Sequence, residues 1–337
     1  MLGATVAAAV TRRRGRQAGG AAPGQRRGPR RRRDRIADRD RNAVRTLQGR
    51  CESQPGGVGD HPRRGGRNRR PRQLPRAIGR GLTNKVDAVV RAGRVVTASG
   101  VVEADVAVTD GRITEIGPRL EVEAGEEIDA SGLHVFPGGV DAHVHFNEPG
   151  RAEWETIACG SAALAAGGYT SYVDMPLNSL PVTIDIDAFD LKLAAASMTA
   201  IVDFGIWGGL VPGNVDELDA LIDRGVLGFK AFMCPSGIDE FPACDSITLR
   251  EGMARIARRG SILLVHAEDP VVLAQHVNAF GGTSPGDFMR SRPPEAELAA
   301  IANAIELAAQ TGCRLHVVHV STLAGMQMIR AAQGRGV

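Results

Sequence analysis

Residues 138–337 repeat one pattern six times, and that repetition restricts the fold more than any other feature. Each unit opens with a short apolar run, at 140–146, 169–175, 200–207, 226–233, 262–266 and 315–320. A stretch with helical spacing follows each run, at about 152–166, 185–197, 214–224, 248–259, 294–311 and 322–333. Strands that are apolar throughout are buried on both faces, and a helix after each one implies a parallel sheet. A doubly wound sheet and a (β/α)8 barrel both satisfy that pattern. The strand ends separate them: His143 and His145, Asp174, Lys230, His266 and His319 close five successive or near-successive runs. Polar groups delivered to one face by many different strands are the habit of the barrel. The expected fold class is therefore α/β, a metal-dependent (β/α)8 TIM barrel. A whole barrel takes ~250 residues, so the barrel is expected to stop after about six units, with Val337 as the edge of a fragment.

Residues 84–137 read differently. Runs at 86–97, 101–109, 112–116 and 127–136 are short and β-rich, and Asp110-Gly111 between two of them is a hairpin signal. They predict a small β domain over 84–137, followed by the barrel over 138–337. Residues 1–83 carry no apolar period and form an arginine-rich leader. The first 80 residues hold 23 arginines, no lysine and five acids, against 18 basic and 33 acidic residues in the remainder. Such a segment cannot offset its chain entropy by burial and is expected to be disordered, a stretch set upstream of the true start. It has no aromatic residue for base stacking, which argues against nucleic acid as a partner. No run approaches the ~18–20 apolar residues of a membrane span. Five scattered cysteines without a C-x-x-C pair exclude a disulfide framework and suit a reducing, cytoplasmic location.

The chemistry is carried by a set of residues. In Asp141-Ala-His143-Val-His145 the two histidines share one face of a strand and can bind one metal. A lone H-x-H is a weak sign, but His266 in Leu-Leu-Val-His-Ala-Glu and His319 in His-Val-Val-His-Val-Ser end two further strands. His316, three residues before His319, is expected on the opposite face in a structural role. Lys230 is one of three lysines and lies in the apolar strand Leu-Gly-Phe-Lys-Ala-Phe-Met. A buried ammonium is costly unless paired or neutralised. Beside four strand-end histidines, a carbamate formed on Lys230 from CO2 turns that cation into a carboxylate-like bridge between two metals.

In the order H-x-H, Lys, His, His on the first, fourth, fifth and sixth runs, residues 84–337 resemble the amidohydrolase superfamily and, within it, the cyclic amidohydrolases: dihydroorotases, dihydropyrimidinases (hydantoinases) and allantoinases. The resemblance implies two zinc ions bridged by carboxylated Lys230 and a hydroxide. It assigns His143 and His145 to the more buried metal and His266 and His319 to the other. Dihydroorotases carry an arginine where His-Phe-Asn-Glu-Pro-Gly-Arg has Asn147. An asparagine there suits neutral ureido and amide groups better than a carboxylate. Met-Pro-Leu-Asn-Ser, with Asn178, and Phe-Lys-Ala-Phe-Met-Cys-Pro-Ser-Gly-Ile-Asp-Glu-Phe resemble the allantoinase branch. That branch implies zinc-dependent opening of the hydantoin ring of allantoin to allantoate, with Asn147 and Asn178 as substrate contacts and a homotetrameric parent. Hydantoinase- or dihydroorotase-like activity and a non-catalytic assembly partner are the alternatives. The family's metal-binding aspartate of strand eight has no counterpart here, and neither Asp174 nor Asp269 replaces it. The chain alone is therefore expected to be inactive.

Overall fold

A bulge near the middle of the first strand organises the amino-terminal sheet. The computed structural model describes residues 85–337, so the expectations for residues 1–83 lie outside the described residues. β1 (Lys85–Thr97) pairs antiparallel with β2 (Gly100–Thr109), and β2 with β3 (Arg112–Gly117). β4 (Glu123–Asp129) and β5 (His134–Val135) run parallel to β1. The strand order is β3-β2-β1-β4, with β5 also on β1. The register slips between Val90 and Gly93, and Ala92 takes φ 53°. Buried Asp105 closes the bulge, accepting from the backbone N–H of Ala92 at 2.8 Å and of Leu120 at 3.0 Å and from Arg91 Nη1 at 3.1 Å. Asp110 and Gly111 both have positive φ, 52° and 69°, as a two-residue hairpin turn between twisted strands requires. One expectation fails here. The run 127–136 is not a single strand, because a turn closed by Leu133 N–H on Ala130 O at 2.9 Å splits it between β4 and β5.

The second segment alternates strand and helix: β6 (Gly139–Val144), α1 (Ile157–Ala166), β7 (Tyr169–Asp174), α2 (Ile186–Thr199) and β8 (Asp203–Ile206). After β9 (Gly208–Gly209) come α3 (Leu218–Arg224), β10 (Phe229–Phe232), α4 (Ser246–Arg258) and β11 (Ile262–His266). Two helices that the periodicity does not reveal follow, α5 (Pro270–Phe280) and α6 (Pro285–Ser291). α7 (Pro294–Thr311), β12 (Arg314–Val317) and α8 (Leu323–Gly334) complete it. α1 begins five residues later than expected, where Thr156 accepts from Cys159 N–H at 3.1 Å and caps it. Every pairing from β6 to β12 is parallel. β6-β7-β8 and β9-β10-β11-β12 form two sheets, with only Trp207 between β8 and β9 along the chain. Strand order thus follows sequence order, without the reversal that marks a doubly wound sheet.

Both faces of β10 and β11 are covered, which explains their apolar runs. On the helix side, Phe229 and Ala231 of β10 and Leu263 and Val265 of β11 pack with Leu249, Met253 and Ile256 of α4 and Ile301 of α7. On the other side Phe232 and Leu264 join Val173, Met175, Trp207, Phe241 and Val318. The alternation along β10 therefore turns Lys230 and Phe232 away from the helices.

Candidate functional site

The strand alternation that buries Phe229 and Ala231 against helices leaves Lys230 on the inner face, fully buried. Its Nζ has no hydrogen-bond partner and lies 4.6 Å from the centre of the Phe232 ring. Burial holds this ammonium down to about 7, far below an ordinary lysine. The register carries Lys230 across to Leu264 of β11 and on to His316 of β12. This corrects the expectation for His316: it shares the face of Lys230. Burial lowers its pKa, and the Lys230 charge adds to the effect. The period-2 argument fails because β12 ends at Val317 and His319 turns into the left-handed region at φ 32°.

The other four candidates gather around this point. His143 and His145 have ring centres 5.2 Å apart, His143 and His319 5.5 Å, and His266 and His319 4.8 Å. His266 Nδ1 lies 3.2 Å from His319 Nε2. In a flat sheet, β6 and β12 would stand ~24 Å apart, five strand spacings. The meeting of His143 with His319 therefore requires the strands to curl round. Trp207 helps to fix the near side, donating its indole N–H to Ala142 O at 2.9 Å across the inner face.

Burial pushes the imidazoles of His143 and His145 down to about 4, and neighbouring positive charge adds to it: His145 and Lys230 on His143, Lys230 and Lys192 on His145. His319 is lowered too, by burial and then by His266 and Lys230. Neutral imidazoles are the form that binds metals. His145 Nδ1, like Lys230 Nζ, is buried with no partner. Buried polar atoms without partners are rare in native structures. Four imidazoles around a lysine of low basicity make a nitrogen-rich donor set that fits zinc.

The two asparagines differ in placement. Asn178, at φ 75°, sits beside His145 and works against the lowering of that imidazole's pKa. Asn147 is buried, its backbone N–H on Glu155 O at 3.3 Å and its carbonyl receiving Arg151 N–H at 2.9 Å. Asp174 is excluded from the cluster by a different duty. Its carboxylate pairs with Lys192 Nζ at 3.0 Å and accepts Phe146 N–H at 3.0 Å, while Lys192 Nζ also donates to Met175 O at 2.7 Å. Both side chains are almost wholly buried. Nothing in the local sequence around Lys192, an ordinary helical position, marks this pairing.

Glu268 is a further residue that spacing does not reveal. Its Oε2 lies 2.7 Å from His266 Nε2, 2.9 Å from Arg292 Nη1 and 3.6 Å from Cys234 Sγ. The hydrogen bond to His266 and the charge of Arg292 hold its carboxyl at about 2 against burial. Cys234, His266 and Glu268 each offer a ligand atom within 4.8 Å of the others. Burial pushes the Cys234 thiol up to about 12. Glu297 of α7 accepts from the N–H and hydroxyl of both Ser321 and Thr322 at 2.6–3.0 Å, and so anchors the loop that follows His319. A cavity of about 480 Å³ lies here, lined by His266, Glu268, Arg292, Glu297 and His319 among others. No helix among the described residues is long and apolar enough to cross a membrane.

The chain is similar to known proteins over about three quarters of its length. The chain is 54% identical over 254 residues to an allantoinase of Rubrobacter xylanophilus, covering 74% of this chain and 56% of that protein. It is 52% identical over 253 residues to an allantoinase of Solibacter usitatus, covering 74% and 55%. It thus spans about half the length of the curated relatives it matches. Among solved structures, the L-hydantoinase (dihydropyrimidinase) from Arthrobacter aurescens superimposes with a TM-score of 0.71 at 36% identity, over 74% of this chain and 56% of that one. The family model described as the amidohydrolase family matches residues 134–335, more than half of the sequence, and on that match and the relatives above the chain belongs to the amidohydrolase family.

Proposed function

We propose that this segment is the metal-binding part of an allantoinase, an enzyme that hydrolyses the hydantoin ring of allantoin to allantoate. The observation that carries the reading is the convergence of His143, His145, His266 and His319 on the buried, unpartnered Lys230. The allantoinase relatives at 54% and 52% identity support the substrate. The curl that brings β6 and β12 together supports a barrel over residues 138–337, with a separate β domain over 84–137. His143 and His145 would hold one zinc, His266 and His319 the other, and carboxylated Lys230 would join them. When bound, such a pair supplies Lewis acidity and lowers the pKa of water at neutral pH.

The chain's own residues set the conditions. CO2 is attacked by an unprotonated amine, and a lysine held near 7 supplies one at neutral pH. The Nζ–C bond forms as one C=O π pair moves to oxygen, and the nitrogen sheds its proton to water. The product is an anion in place of a cation, so the repulsion between Lys230 and its histidine neighbours disappears. Asn147 and Asn178 each offer an amide donor and acceptor to the ureido and ring amides. Phe232 and Trp207 are themselves buried together on the inner face.

Residues 85–337 can be grafted in place of the matching segment of the Rubrobacter xylanophilus allantoinase. The graft should bind two zinc ions, show a carbamate signal by 13C NMR in labelled bicarbonate, and release allantoate. Lys230→Ala should lose all three. A folded graft that binds no zinc, or that opens hydantoin or dihydroorotate faster than allantoin, overturns the reading.

A further inference from the structure

We infer that Glu268 is a positioning residue that fixes the tautomer of His266, so that Nδ1 and not Nε2 is the nitrogen free to ligate. The inference rests on the metal centre proposed above and deepens it. The argument is one of donors and acceptors. Glu268 Oε2 receives Arg292 Nη1 at 2.9 Å and stands 2.7 Å from His266 Nε2. A carboxylate beside a guanidinium only accepts, so His266 Nε2 must carry the hydrogen. In a neutral imidazole the other nitrogen then holds the lone pair, and it is Nδ1 that faces His319 Nε2 at 3.2 Å. The ring plane is fixed independently. His266 stacks on Phe232 with centres 4.8 Å apart and planes 14° apart. Turning the ring over in that plane would set a C–H against Glu268, so the edge is fixed as well.

The same geometry argues against Cys234, His266 and Glu268 as a rival ligand set. A cation there would sit against the Arg292 guanidinium and compete with it for the same oxygen. Outer partners of this kind typically contribute 10- to 100-fold to metal affinity.

The test uses the 337-residue chain labelled with 15N-histidine, metal-free at pH 8, with His266→Gln to assign its signals. His266 should be the Nε2–H tautomer, with that proton protected from exchange. Added zinc should move the Nδ1 signal and leave Nε2–H in place. Glu268→Ala should lose the protection and weaken zinc binding 10- to 100-fold, and Glu268→Gln, which keeps an acceptor, should restore part of both. A His266 Nδ1–H tautomer, an imidazolium, zinc that moves Nε2, or a Glu268→Ala chain that binds zinc as tightly as the parent would overturn the inference. A chain that shows the Nε2–H tautomer and its dependence on Glu268 but binds no zinc at all would sink the metal-centre reading instead.

Discussion

Replacing Lys192 with methionine should be among the most destabilising single changes in this chain, and the reason is an orphaned charge. Methionine keeps most of the buried stem, so little packing is lost. The Asp174 carboxylate, 2% exposed, keeps Phe146 N–H at 3.0 Å but loses the ammonium at 3.0 Å. Met175 O loses its donor at 2.7 Å. Removing one partner of a buried ion pair costs ~3–5 kcal/mol, a large share of a domain's ~5–15 kcal/mol. The sign of the pH dependence follows from the same pair. Burial raises the Asp174 pKa and Lys192 opposes the rise. Without Lys192 the folded-state pKa climbs further above the unfolded one, so the stability lost is smallest in acid and grows as pH rises. Asp174→Asn combined with Lys192→Met keeps an acceptor for Phe146 and removes both charges, so it should recover all but ~1–2 kcal/mol. Urea unfolding at pH 5.5 and 7.5, compared by midpoint at constant m, measures each case. A single variant within ~1 kcal/mol of the parent, or a double variant as unstable as the single one at pH 7.5, would show that the pair is not the electrostatic unit described.

Four further outcomes follow from the structure. Asp105→Ala strands the N–H groups of Ala92 and Leu120 and should cost ~2–4 kcal/mol; despite burial, those donors and Arg91 hold the carboxyl below its usual range, so its contribution is full above pH ~4 and the gap to the variant should close on acidification. Glu297→Ala frees four donors of Ser321 and Thr322 and should cost ~1.5–3 kcal/mol in a thermal melt while weakening zinc binding through His319. Gly160→Ala places a Cβ 2.0 Å from Phe146 Cε1 and should lower stability by ~1–3 kcal/mol; an unchanged melting temperature would refute the close packing of α1 on the end of β6. Zinc at 100 times its Kd should add ~2.7 kcal/mol of stability, reversed by chelation and absent in Lys230→Ala.

The parts of this molecule that sequence makes legible are those with a local cause. The Asp110-Gly111 turn, the six strands and the helices after them follow from residue chemistry and period, and the strand-end histidines could be placed because a strand end is visible in the pattern. α5 and α6 carried start signals, Asp269-Pro270 and Ser284-Pro285, without a long apolar period behind them. What stays hidden is long-range pairing. Lys192 looks like a solvent-facing helical lysine until α2 packs it against Asp174. Arg292 is 24 residues from Glu268, and nothing in either neighbourhood announces the other. His316 shows the opposite failure: a correct strand period, carried two residues past the end of the strand, reversed its face.

The contact between the His143 and His319 rings has a consequence for how the chain reaches its native state. These residues lie near the two ends of the α/β segment in sequence, so their approach closes a loop containing nearly all of it. Closure entropy must be met before such a contact forms, and contacts of this separation slow folding. The histidine cluster should therefore assemble late, after the intervening strands have paired with their neighbours. A ligand held by both ends would act as a clasp on the first and last strands, with its off-rate set by how readily those two strands breathe. Hydrogen exchange should then report the clasp at β6 and β12, at the margins, before any change registers in the central β10.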